Sequence, residues 1–525
     1  MIHHPADNQC IRSMRRGSIL LLVLVAIMIM SLATGSYLVL MHNEHVATRF
    51  SGHYQQARLL TESGIQYLRI FLSQSNSTIS LQGGLYDNPS KMQGVLVADD
   101  ALADFRGRFT VLSPDVAQGY YSSFRYGMEN ESAKLNLNTL VTETDDGSDS
   151  TDTQSRERLL ALPGMTEQIA DAILDWLDED DQPREFGAEE SYYLGLASAY
   201  KPRNGKMSSL DELLLVREVT PELLYGLDTN RNFVVDDNET PRGALKLVDN
   251  FNGQMDRGWI AYLTLQSIER LENPEGERKI NVNSNNLQRL YNDLVAALDE
   301  PSAKFIIAYR QYGGTEAAST GKSVDAASLE IDFEKKAETE INSLLVLVGA
   351  KVTIQAEEQA PAQVVESPWK DEPATYRQSF LELLDQVSVE RKRRIAGRVN
   401  INLATKPVLM SVPGMTEPFA DQIISRRHAE ADLIAGDQRH AIWILADGIV
   451  SREQMQTIDP FVTTGGDVFS SQVVGYLEGL SQQRRAEVVF DSSGRRTRIS
   501  AWEDLGPLGP GFARSVLGTE MEVPQ

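Results

Sequence analysis

The chain has 525 residues and carries a formal net charge of −24 at pH 7, from 74 Asp and Glu against 50 Lys and Arg. That acidity argues against nucleic acid as a partner and against a basic patch for membrane surfaces. The single cysteine, Cys10, excludes an internal disulfide framework, and the length allows about two to four domains with ordinary cores.

The first predicted element is an uncharged run of 24 residues, 18–41, preceded by Arg12, Arg15 and Arg16 and followed by Glu44 and Arg49. At ~1.5 Å per residue, a helix of this length crosses a hydrocarbon core of about 30 Å with some tilt. The bias of positive charge places the N-terminus in the cytoplasm and the bulk of the chain across the membrane. A secretory signal would show a shorter apolar run, about 7–15 residues, ending in small residues. Helical periodicity then continues: Val46, Phe50, Tyr54, Ala57, Leu60, Ile65, Leu68 and Leu72 form a stripe suited to packing on a sheet.

A short basic leader ending in Gly17, an apolar half-helix and an amphipathic continuation together resemble type IV pilin-like subunits. The resemblance implies removal of residues 1–17 by a prepilin peptidase, with cleavage between Gly17 and Ser18. Most such subunits carry Glu at the fifth mature position, which here is Leu22. A carboxylate inside a bilayer is costly unless it meets a partner, and a subunit with no neighbour above it has no use for one.

Residues 107–112 and 120–128 read as strands separated by a Ser113-Pro114-Asp115 turn. Three copies of one pattern follow: Lys134-Leu-Asn-Leu-Asn138, Lys279-Ile-Asn-Val-Asn283 and Arg398-Val-Asn-Ile-Asn402. Each reads as a strand feeding a helical subdomain. The first and third copies also share Pro163-Gly164-Met165-Thr166-Glu167 and Pro413-Gly414-Met415-Thr416-Glu417, a helix-hairpin-helix pattern with a tight turn and a Thr cap. Glu167, Asp171 and Asp175 on the following helix would repel phosphates, so DNA binding is not expected. Residues 142–155 read as an acidic loop inserted into the first copy.

Beyond this hairpin come Asp175-Trp-Leu-Asp178-Glu-Asp180-Asp181-Gln-Pro183, Gly187-Ala-Glu189-Glu190, Pro202-Arg-Asn204-Gly205 and Ser209-Leu-Asp-Glu-Leu213. In this order they resemble the K-type minor pseudopilin of type II secretion, a family also known for lacking the fifth-position Glu. Dense carboxylates repel unless solvated, protonated or bridged by a cation, and Ca²⁺ takes six to eight oxygen ligands. The resemblance implies Ca²⁺ in this insert, with Asp178, Asp180, Asp181, Glu189 and Glu190 as its ligands; a solvated acidic loop is the simpler alternative.

A second acidic stretch places Asp228, Asn230, Asn232, Asp236 and Glu239 at positions 1, 3, 5, 9 and 12 of an EF-hand-like loop, with the Val234 carbonyl at position 7. Phe233 stands where Gly is usual, which should strain the loop. A weaker run covers residues 249–256. Residues 287–312 read as two helices, and 313–323 and 355–368 as linkers or exposed loops. Strands at 467–477, 485–491 and 497–502, with a turn at Asp491-Ser-Ser-Gly494, should complete the sheet begun near Gly107.

The expected fold is α+β: a type IV pilin-like domain, with a long N-terminal helix on an antiparallel sheet, carrying a large α-helical insertion with helix-hairpin-helix-like repeats. The expected division is leader 1–17, membrane span 18–41, helix and first strands 42–133, acidic helical insert 134–278, second repeat and expansion 279–397, third repeat 398–465 and closing strands 466–525. None of the seven His falls in a metalloprotease motif, and no G-x-S-x-G is present. The resemblance implies a non-enzymatic, single-pass inner-membrane subunit with its bulk in the periplasm, partnered by I-type and J-type minor pseudopilins at the tip of a pseudopilus. A membrane-anchored calcium-dependent binding module, or an anchored hydrolase using Asp178 and Glu189, are the alternatives.

Overall fold

A computed structural model describes residues 15–141, 149–236, 239, 255–314, 322–354, 362–428 and 436–518. Helix α1 runs unbroken over Arg15–Phe71. From Ile19 to Met41 its large apolar side chains are exposed, Leu22 at 69%. Farther on, Ala57, Leu60, Ile65, Leu68 and Leu72 are buried, each contributing about 1.5–3 kcal/mol if large. The predicted stripe therefore packs only from Ala57 onward: Tyr54 is half-buried, and Val46 and Phe50 remain exposed because the sheet does not reach them.

That sheet is antiparallel, in the order β1 (Val95–Ala98), β2 (Gly107–Ala117), β3 (Val468–Leu477), β4 (Gln483–Asp491) and β5 (Arg498–Asp504). Val111 of β2 pairs with Val473 of β3, so everything between them in sequence is inserted into one sheet. The helix sits close against β3 because Gly475 has no side chain. A Cβ there would lie 2.3 Å from the Thr61 nitrogen. Thr61 Oγ1 instead accepts the Gly475 N–H at 3.1 Å and donates to the Arg484 carbonyl at 2.9 Å.

The expected turn at Ser113-Pro114-Asp115 is absent. β2 continues through it to Ala117 and folds back at Gln118-Gly119, both with positive φ (51° and 83°), into the strand Tyr120–Arg125. Two residues with φ above zero match the twist of a two-residue hairpin. Pro114 is tolerated because β2 has left β3 after Leu112 and needs no N–H on that side. Residues 126–128 lie outside the strand.

Each Asn-containing repeat begins with a two-residue strand that pairs in parallel with another at the end of its module. Leu135–Asn136 pairs with Leu263–Thr264, Ile280–Asn281 with Val387–Ser388, and Val399–Asn400 with Val462–Thr463. In all three the first Asn accepts the N–H of the second at 2.7–3.1 Å. The closing strand ends in a hydroxyl that accepts the N–H two residues on, from Thr264, Ser388 and Thr463. The three modules are thus one design, a parallel pair enclosing helices.

In the first module, Asp149–Leu160 and α2 (Glu167–Leu177) flank the turn at Gly164, whose φ is +71°. In the third, Lys406–Met410 and Glu417–Arg426 flank Gly414, with φ +81°. The second uses helices Leu287–Ala297 and Glu300–Tyr312 without a Pro-Gly turn, as expected. Residues 142–148 lie outside the description. The expected acidic loop is helical from Asp149, anchored where the buried Ser155 hydroxyl donates to the Leu140 carbonyl at 2.7 Å. The linker reading also fails locally. Lys322–Val324, Lys351–Ile354 and Gln363–Glu366 form a three-stranded sheet that buries Val352 and Val365.

Candidate functional site

Helix α2 begins at Thr166, whose side chain accepts the Ile169 N–H, and every residue from Ile169 to Leu177 is buried. Acids on such a helix cannot be solvated, so each needs a partner. Asp171 receives the Arg156 guanidinium at 2.5 and 2.7 Å and the Phe186 N–H at 3.1 Å. Asp175, one turn on, receives Arg184 Nη1 at 2.7 Å, and the same nitrogen donates to Asp178 Oδ2. Gly187 lets the chain pass over Asp175, since a Cβ there would lie 1.9 Å from Asp175 Oδ2.

Glu189 closes the cluster. It is 2% exposed, and one oxygen each from Asp175, Asp178 and Glu189 lie within 4.8 Å of one another. Neither Glu189 oxygen has a hydrogen-bond partner, nor has Asp178 Oδ1. Burial, then Asp175 and Asp178, push the Glu189 carboxyl up to about 8. Burial raises Asp178 to about 6 against the pull of Arg184, and raises Asp175 as well. Asp175 and Asp178 share one guanidinium and Glu189 receives no hydrogen bond, which leaves an excess of negative charge and unpartnered oxygens. A hard divalent cation would satisfy both.

Of the five predicted ligands here, the fold brings Asp178 and Glu189 together and adds Asp175. Asp180 and Asp181 are exposed, because Asn204 holds their loop outward by donating to the Asp180 carbonyl and Asp181 Oδ1 at 2.9 Å. Glu190 pairs with Lys201 at 2.8 Å. Asp175 was legible in sequence as an acid amid Ala172, Ile173, Leu174, Trp176 and Leu177, a context with no solvent face.

The EF-hand-like loop is closed by its own amides. Asp228 accepts the N–H groups of Asn232 (2.9 Å) and Phe233 (3.1 Å), and Glu239 accepts those of Thr229 (2.9 Å) and Asp236 (3.2 Å). Asp236 Oδ2 accepts from Asn230 and Asn232 side chains at 2.6 and 3.0 Å. The Val234 N–H donates to Asn232 Oδ1, while Asn230 Oδ1 is buried without a partner. Phe233 adopts φ +67°, the left-handed backbone expected of Gly at this position. Its ring is 4% exposed, against Phe512 and beneath Arg257, so packing offsets the strain. Arg485 of β4 holds the loop on the sheet through the carbonyls of Asn230 and Arg231. Of the weaker acidic run, 249–254 lie outside the described residues, and Asp256 accepts the Gly258 N–H.

Residues 133–229 match the model of the family described as type II secretion system (T2SS), protein K. The chain is 39% identical over 98 residues to the type II secretion system protein K of Pseudomonas aeruginosa, covering 18% of this chain and 29% of that protein. It is 46% identical over 57 residues to the protein of that name from Aeromonas hydrophila, covering 11% and 17%. The matches span less than a third of either relative. A solved structure described as the GspK-GspI-GspJ complex of the enterotoxigenic Escherichia coli type 2 secretion system aligns over 87% of this chain and 99% of that one, at 12% identity and a TM-score of 0.33.

Proposed function

We propose that this chain, which carries a type II secretion system protein K region at residues 133–229, is a K-type minor pseudopilin. The observation that supports it is one continuous helix. Its first half is bare and apolar, one face of its C-terminal part from Ala57 packs on an antiparallel sheet, and the protein K region is inserted between two neighbouring strands of that sheet. In this reading residues 18–41 lie in the inner membrane, the head is periplasmic, and prepilin peptidase cuts between Gly17 and Ser18.

The subunit is structural, not catalytic: with I-type and J-type partners it starts and caps a pseudopilus that supports export across the outer membrane. Leu22 supports the tip position, since it offers no carboxylate to a subunit above. So does a head of three modules, too wide to pack within a thin filament. Asp175, Asp178 and Glu189 would hold Ca²⁺, which supplies positive charge to oxygens that lack partners. The 228–239 loop, with Asp228, Asn230, Asn232, the Val234 carbonyl, Asp236 and Glu239, would take a second ion if its internal hydrogen bonds open.

The test is co-expression of the full chain with I-type and J-type minor pseudopilins in membranes, followed by detergent extraction and affinity capture. A stoichiometric complex is expected. Failure to recover either partner, with or without Ca²⁺, would overturn the reading.

A further inference from the structure

Two basic runs far apart in sequence meet on one surface of this acidic chain. Residues 391–394 (Arg-Lys-Arg-Arg) lead into the strand Arg394–Ala396, and residues 495–498 (Arg-Arg-Thr-Arg) run from the turn after β4 into the first residue of β5. Asp467 links them: its N–H donates to the Ile268 carbonyl, beside Ala396, and its own carbonyl accepts the Ser492 N–H at 2.8 Å. The Arg394 guanidinium lies 3.7 Å from where a Cβ on Gly494 would stand.

Lys392, Arg393, Arg394, Arg495, Arg496 and Arg498 are all exposed. None forms an ion pair among the described residues, whereas the adjacent Arg391 and Arg270 do, with Glu340 and Asp467. With 74 carboxylates in the chain, these six neighbouring cations, with Asp491 across the strand from Arg498, form a surface of net positive charge that repels itself. A merely solvated surface would gain by interspersing signs.

The patch sits at the far end of α1. Thr497 Oγ1 lies 3.3 Å from Ser73 Oγ, and from Met41 to Ser73 the chain rises about 48 Å at ~1.5 Å per residue. Debye screening at physiological salt acts over about 8 Å, so anionic headgroups around the apolar segment are out of reach. We propose that this patch is the docking surface for a partner protein presenting an acidic segment, met beyond the reach of the membrane surface. Its separation from the membrane rests on the anchor reading above, but the patch does not depend on secretion partners.

The test uses the full chain in detergent micelles and a fluorescein-labelled deca-glutamate peptide, read by anisotropy across a salt series. Binding should weaken steeply with salt. The Arg393→Glu/Arg495→Glu/Arg496→Glu variant should lose at least tenfold in affinity. A control, Lys91→Glu/Lys336→Glu/Lys370→Glu, changes net charge equally at exposed sites elsewhere and should stay within twofold of the parent. Equal losses in both variants, no binding by the parent at low salt, or patch-dependent capture of phosphatidylglycerol vesicles in place of the peptide would each overturn the proposal. Circular dichroism of both variants checks that the fold is retained; if the first variant unfolds, Arg495→Gln/Arg496→Gln alone must still weaken binding severalfold.

Discussion

Asn138 and Met207 are joined in both directions: Asn138 Nδ2 donates to the Met207 carbonyl at 3.0 Å, and its Oδ1 accepts the Met207 N–H at 2.8 Å. Asn283 repeats this with Ile341 at 2.9 and 3.0 Å. Each also donates to the closing strand's end, at Leu265 and Val389. A planar amide offers donor and acceptor side by side, so it substitutes for a peptide group between the opening strand and a distant loop. Asn402 adapts the device, donating to Gln438 and accepting from Trp443 Nε1.

Removing either staple should therefore be costly. Each amide makes three hydrogen bonds worth ~1 kcal/mol net, and its loss leaves buried backbone groups unpaired, so Asn138→Ala and Asn283→Ala should each destabilise by about 2–4 kcal/mol. Urea midpoints measure this. The two sites share no partner, so the double variant should show additive losses; a loss below ~1 kcal/mol for either would contradict the role.

The sheet closure is readable because β3, β4 and β5 are rich in strand-forming residues and a turn at Asp491-Ser-Ser-Gly494 separates the last two, and the modules are readable because the Asn spacing recurs. Other features needed the fold. Pro114 looked like a turn because the end of β2's pairing with β3 is set by residues hundreds of positions away. The strands at 322–324 and 363–366 are too short to show a period. The burial of Asp175 is signalled by its apolar neighbours, but its meeting with Glu189 is not, because fourteen positions and a loop separate them. Arg394 and Gly494 meet only through the Asp467 link, and no local pattern joins them.

The acidic cluster gives a pH signature. Glu189 in the folded chain is raised to about 8 and Asp178 to about 6, so the metal-free fold holds protons that the unfolded chain releases near the ordinary carboxylate range. Stability from these groups is present at low pH and is lost as pH rises through those values. EDTA-treated protein should show Tm falling from pH 5 to 8, and Ca²⁺ should raise Tm more at pH 8 than at pH 5. Glu189→Gln should flatten the metal-free slope and remove the Ca²⁺ gain; an unchanged profile in that variant would sink the assignment.

At Phe233, backbone strain and packing compete. Relieving a left-handed residue gains about 1 kcal/mol, whereas deleting a buried Phe ring costs about 3–5 kcal/mol. Packing should win: Phe233→Gly should lower stability by about 2–4 kcal/mol by urea unfolding, despite restoring the usual EF-hand residue. A stabilised variant would show that the ring's contacts with Phe512 and Arg257 contribute little.

His440 predicts the opposite pH limb. Burial lowers it to about 4, more than the hydrogen bond to Asp385 at 2.6 Å raises it. Burial works against Asp385, but His440 and Arg439 together hold it down at about 2. A depressed His contributes stability that is complete above its ordinary 6.5 and is lost as pH falls through 4, because the unfolded chain takes up the proton first. At ~1.4 kcal/mol per pH unit the full loss is about 3 kcal/mol. His440→Gln keeps a hydrogen-bonding side chain without the titration, so its stability should fall less between pH 6.5 and 4 than the parent's, measured by urea midpoints at each pH. Parallel curves for the two proteins would mean that His440 is hydrated enough to protonate in place.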